Sequence, residues 1–65
     1  MRGLTEQQQR VCDLVALGWS SKEIARSLGI SHRTVETHRE EIYRKLRVRN
    51  AVELVRKTLG IVDRR

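Results

Sequence analysis

The sequence has no proline and no phenylalanine, a single cysteine, and only two aromatic residues, Trp19 and Tyr43. With one thiol, Cys12, no internal disulfide can form, and no His/Cys spacing resembles a zinc site, so no metal is expected. The scarcity of aromatics and the absence of strict apolar alternation argue against strands. No apolar run approaches the roughly 18 residues that span a bilayer, and the N-terminus lacks a signal-peptide stretch. The expectation is a soluble, cytoplasmic chain with no membrane partner. Length is short as well: 65 residues make one domain, whose folding hides about 60% of the unfolded surface and yields only ~3 to 5 kcal/mol. That leaves little room for a polar cavity, so neither a catalytic residue nor a cofactor is expected.

Basic charge and helical punctuation are what the chain does have. The formal net charge is +6, and it is uneven. Residues 1–31 hold four Lys/Arg against three acids (+1), and residues 32–65 hold ten against five (+5). A basic half attracts a polyanion through counterion release, with a merely solubilising surface as the alternative. Residues 1–3 read as start residues outside the pattern, 4–62 as the domain and 63–65 as a basic tail; the chain reads as a possible fragment of something longer.

Apolar residues recur at three- and four-residue spacing, and four N-cap signals divide them into four helices. Thr5 with Gln8 opens the first, which buries Val11, Cys12, Leu14 and Val15 and stops at Gly18. Ser20 with Glu23 opens a short second helix, with Ile24, Ala25 and Leu28 inward and Gly29 as hinge. Ser31 caps a longer third helix reaching about Arg47. Asn50 with Glu53 opens a fourth, ended by Gly60. Three of these starts read as full capping boxes. The fold class is therefore all-α, a four-helix bundle containing a helix-turn-helix.

On the third helix, Val35, His38, Ile42 and Leu46 form the buried stripe. The opposite face, with Arg33, Glu36, Thr37, Glu40, Arg44 and Arg47, is polar and long enough to reach base edges in a major groove. Arg33, Glu36, Thr37 and Glu40 are the candidates nearest the bases. The two carboxylates either accept from cytosine and disfavour wrong sequences, or pair with Arg33, Arg39 or Arg44 one turn away. Phosphate candidates are Lys22, at the positive end of the second helix, with Ser31, Thr34, Arg39, Arg44 and Lys45. Thr34 has the alternative of bonding back to Ser31. His38 reads as a packed, hydrogen-bonded core histidine, His32 as a first-turn surface residue and Cys12 as a small core hydrophobe. Trp19 reads as a cover over the open end of the first two helices, with contact to a partner domain as the alternative.

The fourth helix has apolar residues in two directions, Val52, Val55 and Leu59 on one stripe and Ala51 and Leu54 on another. Either both are buried, or one meets a symmetric partner.

Five segments in register carry a resemblance: Leu4-Thr5-Glu6, Gly18-x-Ser20-x-Lys22-Glu23-Ile24-Ala25, Leu28-x-Ile30-Ser31, Thr34-Val35-x-x-His38 and Lys45-Leu46-x-Val48. Together they resemble the LuxR-type (GerE-like) helix-turn-helix domain, in particular the effector domain of NarL/FixJ-group response regulators. The resemblance implies a regulator of transcription that binds double-stranded DNA as a homodimer through its last helix, at Val52, Val55, Arg56 and Leu59, with a receiver or sensor domain in the full-length protein. Carried onto matching positions, it implies phosphate contacts near Lys22, Thr34 and Lys45, and base contacts near Glu36, Thr37 and Glu40. The sequence departs at Glu36, often lysine in the family, and at Glu40, often basic or polar; these departures bear on the operator sequence. Region four of a sigma factor shares the Leu-Thr opening and the Glu-Ile-Ala turn, but lacks the extra helix from Asn50. A helical protein-interaction module built on the fourth helix is the reading from a different class.

Overall fold

The structure is a computed structural model, and residues 3–59 are described. Those residues form four helices and no strand: α1 (Glu6–Ala16), α2 (Ser21–Leu28), α3 (His32–Leu46) and α4 (Ala51–Thr58). The expected stop at Gly60 and the basic tail lie outside the described residues.

Each helix starts where a side chain accepts from first-turn amides that no helical carbonyl can reach. Thr5 Oγ1 accepts from Gln8 N at 3.1 Å, and Gln8 Oε1 accepts from Thr5 N at 3.2 Å. Ser20 and Glu23 repeat the exchange for α2. The third expected box is incomplete. Asn50 Oδ1 takes the Glu53 amide at 3.0 Å, but Glu53 Oε1 takes the amide of Arg49, at 2.7 Å, rather than that of Asn50. The carboxylate thus caps the residue before the N-cap.

The ends are equally specific. Beyond α1, Gly18 adopts φ +92°, and the amides of Gly18 and Trp19 return to Val15 and Leu14 carbonyls, at 2.9 and 3.1 Å. Gly29 ends α2 at φ +69°. Both are left-handed positions that a glycine takes without a Cβ penalty. α3 ends at Leu46, within a residue of the expected end, where Arg47 caps it in a left-handed turn at φ 58°. No glycine marks that stop, so residue type alone gives no sign of the left-handed turn.

α3 packs against both α1 and α2, and α4 lies on α1. The core they share is Val11, Cys12, Val15, Ile24, Ala25, Val35, Ile42, Leu46 and Leu54, bordered by Leu4, Leu14, Leu28, Ile30, Tyr43, Val48 and Ala51. Burial raises the Cys12 thiol above its ordinary value, helped by the neighbouring Asp13 carboxylate, in keeping with a small core side chain. His38 is only half-buried, and its Nδ1 is sealed from solvent with no hydrogen-bond partner among the described residues. The expectation of a hydrogen-bonded histidine fails at that atom.

Candidate nucleic-acid interface

α3 has two sides that share no residue. Val35, Ile42 and Leu46 are buried, whereas Arg33, Glu36, Thr37, Glu40 and Arg44 are all exposed. At about 100° per residue, the second set falls on one narrow stripe opposite the first. The packing of α1 and α2 consumes the apolar side and fixes α3 along its length, so the polar stripe is held outward on a rigid element.

The expected phosphate candidates divide by what already holds them. Lys22 and Arg44 are exposed, and their side chains make no hydrogen bond or ion pair with a described residue. Their charge is unspent. Lys45 is engaged: its Nζ donates to Gly3 O at 2.7 Å and to Gln8 Oε1 at 2.9 Å, fastening the last turn of α3 to the start of α1. Gln8, buried at 3% exposure, completes the tie by donating its Nε2 to Glu41 Oε1. Arg39 is engaged too, donating to Ser21 Oγ at 2.9 Å and to Tyr43 OH at 2.8 Å. The bond to Ser21 ties α3 to α2 and brings the first residue of α2, next to Lys22, alongside the middle of α3. Ser31 and Thr34 satisfy each other, with hydroxyl oxygens 2.8 Å apart and the Thr34 amide on Ser31 Oγ. The back-bonding alternative for Thr34 is therefore the arrangement present.

The two carboxylates of the stripe do not pair with arginine. Glu36 Oε2 lies 3.5 Å from His32 Nε2, and Glu40 has no recorded partner among the described residues. The sequence gives Gln8 only a capping role and His32 only a place on the surface, and nothing in it singles out Glu41. Of these, the His32–Glu36 spacing of four was readable, since such residues are neighbours on a helix.

The described residues contain no group of His, Cys, Asp or Glu able to hold a metal ion, and no helix long and apolar enough to cross a membrane. Trp19, 39% exposed, borders a shallow groove with Glu23, Arg26 and Ser27. On α4, Leu54 is fully buried and Ala51 packs beside it, while Val52 and Leu59 are 64% and 68% exposed and Val55 is half-buried. Arg56 is exposed on the same helix. The two apolar directions are thus one core face and one outward face.

Comparison with known proteins places this arrangement. The chain is 43% identical over 56 residues to the uncharacterized response regulatory protein YgeK of Escherichia coli strain K12, covering 86% of this chain and 38% of that protein. It is 44% identical over 54 residues to the transcriptional regulatory protein UhpA of the same organism, covering 83% of this chain and 28% of that protein. The transcriptional regulatory protein TdiR of Thauera aromatica is 44% identical over 52 residues, with coverage of 80% and 23%. The chain therefore spans well under half the length of these relatives. The family model of the bacterial regulatory proteins, luxR family, matches residues 2–58, which takes in all four helices and decides between the two helix-turn-helix resemblances in the sequence. With its helices, caps and outward α3 stripe inside that match, the chain belongs to the luxR family of bacterial regulatory proteins.

Proposed function

We propose that this chain reads DNA sequence for a bacterial transcription regulator, laying α3 in the major groove of double-stranded DNA. The observation that carries the reading is the division of α3, whose exposed stripe of Arg33, Glu36, Thr37, Glu40 and Arg44 has no part in the core. A major groove admits one helix, and these side chains are of the types that meet base edges: Arg33 for guanine, Thr37 for the thymine methyl, a glutamate for the cytosine amino group. Lys22 and Arg44 are the first phosphate contacts, because neither must surrender an internal bond. Ser31, Thr34, Arg39 and Lys45 flank the groove as further contacts; Arg39 and Lys45 would exchange bonds to Ser21, Tyr43, Gly3 and Gln8 for phosphate oxygens. The outward face of α4, at Val52, Val55, Arg56 and Leu59, joins two copies into a homodimer. A cytoplasmic regulator that also carries a receiver or sensor domain fits the short share of its relatives that this chain spans. No enzymatic role is part of this reading.

The test is a binding-site selection from random duplex DNA, with the recovered duplex and a scrambled one then titrated at two salt concentrations. The expected outcome is a two-fold-related site bound more tightly than the scramble and weakened by salt. Lys22→Glu then weakens binding to both duplexes alike, whereas Thr37→Ala changes the ratio between them, by roughly 1 to 3 kcal/mol for a lost base contact. Salt-sensitive binding with no enriched site would remove the sequence-reading claim. Absence of DNA binding would favour a protein partner on the exposed Val52 and Leu59.

A further inference from the structure

The two carboxylates on the outward stripe of α3 sit in different surroundings. Glu40 has no partner among the described residues, while Glu36 has Oε2 within 3.5 Å of the His32 ring nitrogen Nε2, one turn earlier. Arginine partners at three-residue spacing were available to Glu36 on both sides. Arg39 is committed to Ser21 and Tyr43, and the Arg33 side chain makes no bond to another described residue, which leaves it available to a ligand. His32 therefore stands at the shoulder of the stripe, and both members of the pair are about half exposed, 53% and 50%. A pair so exposed adds little to stability. What it gives Glu36 is a geometry: Oε2 lies beside the imidazole, and Oε1 has no partner among the described residues.

A carboxylate that reads cytosine must offer one free oxygen to the N4 amino group while phosphates repel its charge. A neighbouring N–H group that occupies the other oxygen answers both demands, by fixing the geometry and by offsetting part of the charge. We propose that His32 is a positioning residue for base recognition, holding Glu36 so that one carboxylate oxygen accepts from cytosine in the major groove. This rests on the DNA-reading function proposed above.

The test uses the full 65-residue chain and the selected duplex, with every single-base-pair variant of that duplex in competition binding. Glu36→Gln is expected to lose the preference for cytosine at one base pair, by about fivefold or more. His32→Ala is expected to lose it at the same base pair by at least about threefold, with the double variant no worse than Glu36→Gln alone. His32→Lys, which returns a donor to the shoulder, restores the preference. Circular dichroism of each variant checks that the helices are intact. The proposal is overturned if His32→Ala leaves that ratio unchanged while Glu36→Gln collapses it, or if His32→Ala shifts all duplexes equally. It is also overturned if Glu36→Gln changes no ratio; in that case a Thr37→Ala variant that still alters preference leaves the DNA-reading function standing. Recovery of no selected site at all overturns both.

Discussion

Ser20 and Glu23 hold the start of α2 by exchanging hydrogen bonds, and the exchange has a consequence for acid stability. The backbone amide of Ser20, and then its side chain, hold the Glu23 carboxyl below the ordinary glutamate value, with a smaller favourable effect from Arg26. A carboxyl whose folded value is lowered contributes stability that is present above its unfolded value and is lost as pH falls through the folded one. Thermal melts from neutral to acidic pH should therefore show a loss on the acid side that is reduced in Glu23→Gln, which cannot titrate there. An identical acid profile for the two proteins would mean that the Glu23 half of the box contributes nothing. The same scale explains why Arg39 and Lys45 look different in three dimensions than in the sequence. On a helical wheel each is a cation beside a buried stripe. Their partners Ser21, Gly3 and Gln8 come from other elements, and only the packed fold brings those groups within 2.7 to 2.9 Å.

The elements themselves are written in local chemistry to very different degrees. Helix starts are legible because an N-cap and the residue three places on form a fixed local pattern, and Thr5, Ser20, Ser31 and Asn50 all serve as N-caps. The stops of α1 and α2 are legible through Gly18 and Gly29. The stop of α3 is not: Arg47 takes the left-handed position with φ 58°, closed by the Val48 amide on the Tyr43 carbonyl at 2.9 Å. Packing of Leu46 and Val48 on the core carries the chain through a turn that its own residue disfavours. Arg47→Gly should accordingly raise stability by about 0.5 to 1 kcal/mol, the left-handed strain relieved less the added entropy of an unfolded glycine. For so small a domain that is a rise of a few degrees in melting temperature, read by calorimetry. A fall instead would mean that Arg47 has a stabilising role which outweighs its backbone strain. The candidate site divides the same way. The polar stripe of α3 and the four-residue spacing of His32 and Glu36 follow from helical period alone, while the choice of His32 over an arginine as the Glu36 partner appears only in the packed fold, where Arg39 is already occupied.

At the scale of the whole molecule, α4 puts Leu54 and Ala51 against the core and leaves Val52 and Leu59 outward. A stable dimer usually buries about 800 Å² on each partner, far more than Val52, Val55 and Leu59 can supply. The homodimer proposed through this face would therefore be weak in free solution and would gain its strength when two copies stand on adjacent half-sites of one duplex, where the second contact becomes intramolecular. The face of a two-fold dimer meets itself, so two substitutions on one chain place four charges in the contact. Val52→Asp with Leu59→Asp should leave affinity for a duplex carrying one half-site unchanged, because neither residue lies on α3. Affinity for a duplex carrying two half-sites should fall by at least about tenfold, and cooperativity should vanish from the titration. Equal losses on both duplexes would point to damage in the fold, which circular dichroism would detect. Unchanged binding to the two-half-site duplex would remove α4 from the dimer.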